Sequence, residues 1–371
     1  MHDLVSITNM IILYFLHFCS NLVPASILIV IVNLLFLRFY MPDFSPNSLS
    51  TLDKVRTSRG NRELSNYFYK FLRTDTTKAI SLINEDTLSF PSLFLLEPQI
   101  NRTPINRYLN TRNKNVLMLT NAINSKNFSR FSYISRNIGD NTPSILKWIL
   151  ETGKDESGLR GQYDKILDSC SLILVREYKD NSILPVVRDI IYNRNRKGLF
   201  IHDLVWAFFE SRDPNCIMML AEGLKSDDKK DVEISKKLLR FIPCVKNNTL
   251  NEEMQYLSIF YWFRDNFPFL YYTDESFQQK PNPSPFEVSL ASKYLYKKVS
   301  VDNGIIESEL TEDELRIENI FNSIDEKNKL LLSNYSFILH NQNIYLWNNW
   351  IHNPVSEQLK IACARLGGTL C

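Results

Sequence analysis

The chain has 371 residues, with 43 basic and 41 acidic side chains and a formal net charge of +2. Charged residues make up 23% and hydrophobic residues 44%, an ordinary globular balance that excludes a wholly disordered polymer. Near-neutrality excludes a global electrostatic pull toward nucleic acid.

The first segment, Leu4 to Leu37, carries no formal charge; Asp3 precedes it and Arg38 ends it. The run is longer than the ~20 residues a helix needs to cross a bilayer. Ser20, Asn21 and Pro24 interrupt it, which suits either one kinked span or a re-entrant hairpin. Residues 1–40 are therefore expected to form a membrane anchor, as a single-pass transmembrane helix. Arg38, Lys54, Arg56, Arg59 and Arg62 follow the run and no Lys or Arg precedes it, which points the body to the cytoplasm. Cysteines at 19, 170, 216, 244, 363 and 371 form no CxxC pair, as expected of reduced thiols. Residues 41–51 (MPDFSPNSLST) read as a linker.

The body reads as helical almost throughout. Val, Ile and Thr do not alternate with polar residues over any long window, and glycines number only 10. Residues 52–250 form a repeat region. Val116, Ile145, Ile183 and Ile217 each open an apolar helical stretch, at spacings of 29, 38 and 34 residues. The clearest unit is Pro214 to Ile242. Ile217, Leu220, Ala221 and Leu224 form one stripe, Ser226-Asp227-Asp228 the turn, and Val232, Ser235, Leu238 and Leu239 the second stripe. The preceding unit, Ile183 to Phe209, is expected to turn at Asn193-Arg194-Asn195-Arg196. Helix pairs at such periods build α-solenoids. Across about 110–245 the pattern resembles HEAT repeats, although Glu233 stands where an Arg usually follows the Val of the second helix. The resemblance implies an all-α solenoid of HEAT-like helix pairs with a helical C-terminal cap.

Residues 251–371 form an aromatic-rich helical C-terminal region. Ten aromatics crowd Met254 to Phe277, and they suit either a core or an exposed groove for a peptide or lipid tail. Gln278 to Pro285 (QQKPNPSP) is expected to be an extended loop. A helix is expected over Glu287–Val299, and Thr311-Glu312-Asp313-Glu314 reads as a capping box that opens another. Further helices are expected through Leu330–Leu339, around Tyr345–Trp350, and over Val355–Arg365.

No motif carries chemistry. HExxH, GxSxG, the P-loop and GxGxxG are absent, and no two histidines are spaced i,i+4. His202 and Asp203 are adjacent, so on a helix they point about 100° apart and make a poor catalytic pair. No catalytic residue, cofactor, metal or small-molecule substrate is nameable. The expected function is a membrane-anchored interaction scaffold that presents a helical-repeat surface to a cytosolic protein partner. Arg188, Arg194, Arg196 and Lys197 cluster around one turn and mark the candidate binding surface, with anionic lipid or nucleic acid as further candidate partners. The alternative is an enzyme or nucleic-acid-binding protein on a HEAT-like scaffold, glycosylase- or lyase-like.

Overall fold

The structure, a computed structural model, describes residues 49–156, 158–159, 161–246 and 250–366. The apolar run 4–37, most of the 41–51 linker and the final five residues lie outside the described residues. The single-pass membrane assignment is corrected: among the described residues no helix is long and apolar enough to cross a membrane.

Helix dominates, as expected for the all-α class, and the starts are set by local chemistry. α1 (Thr51–Arg59) is capped by Ser50, whose hydroxyl accepts from the Asp53 N–H. Gly60, at φ +88°, makes the sharp step into α2 (Asn61–Thr74). Asp75 caps α3 (Thr76–Ile83) by accepting from the Lys78 N–H. α4 (Phe90–Asn101) has Pro91 in its first turn and is buried nearly all round, from Phe90 to Leu96 and again at Ile100. α5 (Thr111–Asn124) and α6 (Phe128–Ile138) follow as an antiparallel neighbour pair.

The chain continues with α7 (Asn141–Gly153), α8 (Gly161–Arg176), α9 (Leu184–Arg196), α10 (His202–Glu210), α11 (Asn215–Ala221), α12 (Lys229–Leu238) and the single turn α13 (Pro243–Lys246). The stripes read from sequence are in the core: Ile217, Leu220, Ala221, Leu224, Ser235, Leu238 and Leu239 are all buried. Asn193–Arg196 is not a turn. It is the last turn of α9, and the chain reverses over Lys197–Ile201 instead.

α14 (Glu252–Asn266) leads to a two-stranded antiparallel hairpin, β1 (Leu270–Tyr272) and β2 (Phe286–Val288), with Leu270 opposite Val288 and Tyr272 opposite Phe286. The Pro-rich stretch Gln278–Pro285 lies in the loop that joins the strands. β2 takes the start of the expected 287–299 helix. What remains is α15 (Leu290–Leu295), ended by Tyr296 in the left-handed region at φ +54°. α16 (Glu312–Asn322) begins at the expected capping box, with the Thr311 hydroxyl and Glu314 carboxylate each accepting from the other's backbone N–H. α17 (Glu326–Gln342), α18 (Ile344–Ile351) and α19 (Val355–Leu366) complete the chain.

Two hydrophobic cores divide the described residues. The larger runs from Leu52 to Phe286. The smaller is centred on Tyr294, Phe321, Leu332, Tyr335 and Trp350 and closes with Ala362.

Candidate interaction surface

The four basic residues marked in the sequence are spoken for within the fold. Arg188 lies against its neighbour Asp189, Nη2 to Oδ1 at 2.8 Å. Arg194 is fully buried, with Nη1 2.6 Å from Asp168 Oδ1 on α8 and Nη2 donating to the Asp164 carbonyl at 3.0 Å. Burial pushes the Asp168 pKa up to about 6, while the Arg194 guanidinium beside it pulls the other way. Arg196 forks onto Asp231 of α12, at 2.9 Å from Nε and 2.6 Å from Nη2. Lys197 follows α9 as its C-cap and is exposed. The second basic group behaves alike. Lys230 donates to the Arg196 carbonyl at 2.6 Å, Lys236 pairs with Glu252 at 2.9 Å, and Lys225 sits 3.3 Å over the Tyr256 ring. Arg194, Arg196, Lys230, Lys236 and Lys225 thus link one stretch of helix to another, while Arg188 pairs within α9.

His202 and Asp203 are both exposed in the first turn of α10, and Asp203 accepts from the Gln278 amide at 3.2 Å. Cys170 and Cys216 are buried free thiols whose pKa values burial drives upward, so neither is a nucleophile. Among the described residues no group of three His, Cys, Asp or Glu side chains converges on a point.

A different surface stands out on α14, which is apolar on both sides. Its inner side packs Tyr256, Ile259, Trp262 and Phe263 against the larger core, together with the polar Gln255 and Asn266. Its outer side shows Met254, Leu257, Phe260 and Tyr261 to solvent, each 38–50% exposed. At 100° per residue these four fall within one broad stripe. Glu252 and Glu253 stand at the N-terminal end of the stripe and Arg264 at the other. The ten-aromatic segment is thus split between roles. Phe269, Tyr272 and the facing Phe286 are core, while Phe260, Tyr261 and Phe267 are open.

No family model, no curated protein and no solved structure matches the chain.

The inner side of α14 is fastened, so the stripe is held in place. Tyr256 donates to Glu222 at 3.0 Å, and the Asn266 amide donates to the Trp262 carbonyl at 2.7 Å while its Oδ1 accepts from Lys293 at 2.7 Å. The hairpin that follows is tied to α10, where the Tyr272 hydroxyl donates to Glu210 at 3.0 Å and the Arg212 guanidinium lies 5.2 Å over the Tyr272 ring.

Proposed function

We propose that this chain is a protein-interaction scaffold, a HEAT-like solenoid of stacked helix pairs whose docking face is the outer side of α14. The reading is carried by one observation, the open apolar stripe on a helix whose other side already packs apolar residues into the core. A helix apolar on all sides is normally buried on all sides, and an exposed contiguous apolar stripe marks an interaction site. Local packing supports the solenoid: α7 rests on α8, α8 on α10, α9 on α12, and α11 on α14. The nucleic-acid reading has less support, because Arg194 and Arg196 are already paired with carboxylates.

The partner that fits is a helix laid antiparallel, basic at one end and acidic at the other. A second copy of α14 meets that description. Antiparallel pairing sets Glu253 opposite Arg264 at both ends and Leu257 opposite Phe260 in the middle, a self-complementary arrangement of the kind two-fold dimers use. The test is a photo-crosslinking residue placed at Leu257 of the full chain, with the same probe at exposed Lys70 as control. A covalent dimer from position 257 and none from 70 is the expected result. Adducts only with other proteins overturn the second-copy reading, and no adduct above control overturns the docking face.

A further inference from the structure

Between Pro98 and Gly139 the chain holds 42 residues without a single Asp or Glu, although it carries 41 acids in 371 residues. The same stretch holds seven of the 43 basic residues, so the remainder, with 36 basic against 41 acidic residues, is net −5. The near-neutral total therefore hides a local excess of +7.

The fold leaves most of these cations in water and unneutralised. One is internal: Arg112 donates to the Glu85 and Asp86 carbonyls at 3.1 and 2.7 Å and lies 4.8 Å over the Trp148 ring. The other six, Arg102, Arg107, Lys114, Lys126, Arg130 and Arg136, are all exposed. Among the described residues no ion pair includes any member of the stretch, unlike the fastened cations between Arg188 and Lys236.

α6 shows the face most plainly. At about 100° per residue Arg130, Tyr133 and Arg136 share roughly a third of its surface. Ile134 is buried on the other side, where Phe131 and Ile138 pack against the larger core. Lys114 is on the solvent side of α5, the neighbour of α6, and Lys126 is in the turn between them. Arg102 ends α4, and Arg107 and Tyr108 lie in the short turn Pro104–Tyr108 packed against it.

A second observation sets the kind of partner. Tyr133 is 67% exposed, with an arginine three residues away on either side, and Tyr108, 60% exposed, follows Arg107 directly. Open rings beside cations are what unpaired bases stack on while the cations track the phosphates. A duplex keeps its base faces inside the stack and offers such rings nothing. A face that inserts into a lipid surface shows Trp, Phe or Leu. Here Met118 is the only other large apolar side chain exposed among the described residues of the stretch.

We propose that this acid-free face binds single-stranded nucleic acid, with the six exposed cations on the phosphates and Tyr108 and Tyr133 stacked on bases. Stacking tolerates any base, so the preference is for strandedness and not for sequence. The face shares no residue with the α14 stripe or with Arg188–Lys197, and the proposal rests on neither.

The experiment is fluorescence anisotropy of the full chain with labelled oligo(dT) and oligo(U) of about 20 nucleotides. An equal-length duplex and phosphatidylserine vesicles serve as competitors. At least one oligomer binds, which assigns the sugar, and both competitors displace it poorly. Lys114→Gln, Arg130→Gln and Arg136→Gln together are exposed changes that leave the core untouched. They weaken binding by about 10-fold or more at low salt, and flatten the slope of log K against log salt by about 2, as expected for three lost phosphate contacts. Tyr133→Ala weakens binding by about 5-fold or more, and Tyr133→Phe, which keeps the ring, binds as the unmodified chain does. Failure of both oligomers to bind overturns the proposal, as does undiminished binding by the triple variant. Stronger binding of the duplex or of the vesicles overturns it in favour of that partner. Undiminished binding by Tyr133→Ala overturns the stacking role and the single-strand assignment with it.

Discussion

Lys293 offers a test of the second core that reads directly as a slope. It lies on α15 at 3% exposure, and its ammonium donates to Asn266 Oδ1 and Asn334 Oδ1, both at 2.7 Å. Burial lowers its pKa from 10.5 to about 8, and Asp265 only partly opposes this. Two amide oxygens bond the charge without neutralising it. In the unfolded chain the lysine titrates near its ordinary value. Below pH 8 both states hold the proton and stability is independent of it. Between pH 8 and 10.5 the unfolded state binds more protons than the folded state, so stability rises with pH. The gap of about 2.5 units corresponds to about 3 kcal/mol. Tyrosines titrate nearby, so the quantity to measure is a difference. Urea denaturation of the unmodified chain and of Lys293→Met across pH 7 to 10.5 isolates the lysine. Met leaves two acceptors unpaired, which offsets the curves by a constant and does not tilt them. The stability of the unmodified chain should gain about 3 kcal/mol relative to the variant across that window. A flat difference would refute the buried, unneutralised ammonium.

Three further outcomes are expected, each measured by thermal or chemical denaturation. Gly223→Ala places a Cβ 2.2 Å from Ser235 Oγ and 2.3 Å from the Tyr192 hydroxyl, so it should destabilise by about 1–3 kcal/mol and break the 2.8 Å bond between those hydroxyls. Asp53→Ala strips the acceptor from Ser50, Ser89 and Ser92 at the base of α1 and α4, and should cost about 1–3 kcal/mol through the buried donors left unpaired, while Arg56 keeps Glu156 as its counter-ion. Thr311→Ala removes one half of an exposed capping box, and about 1 kcal/mol with it. A neutral result for Asp53→Ala would mean that the network holds nothing in place.

Much of the helical architecture was legible because it rests on local rules. The capping box at Thr311 and the stripes of Ile217–Leu224 and Ser235–Leu239 need only spacing and side-chain chemistry, and all fall where expected. The expectations that missed depended on distant partners. Asn193–Arg196 looks like a polar turn until Asp168 of α8 and Asp231 of α12 are in place to receive its arginines. With those acceptors present the polar residues extend α9 by a turn. The 287–299 helix fails at its start because Phe286 and Glu287 pair with Tyr272 and Tyr271, a contact across the Pro-rich loop that periodicity cannot register.

Distant partners also account for the basic clusters at the helix ends. In stacked helices the last turn of one helix presents free carbonyls and tends to carry cations, while the first turn of the next carries acids. Basic clusters at such ends are then internal fasteners: Arg196 bridges to Asp231 in the first turn of α12, and Lys236 in its last turn bridges to Glu252 in the first turn of α14. Their density in the sequence follows in part from these bridges between helices. α14 differs. Its inner side packs Tyr256, Ile259, Trp262 and Phe263 along with Gln255 and Asn266, and it carries a second set of apolar residues outward. Exposed apolar side chains lower solubility and gain nothing for the isolated fold. Turning a helix of this composition outward makes physical sense when a second surface removes the stripe from water, and its opposite end charges fix the direction in which that surface must run.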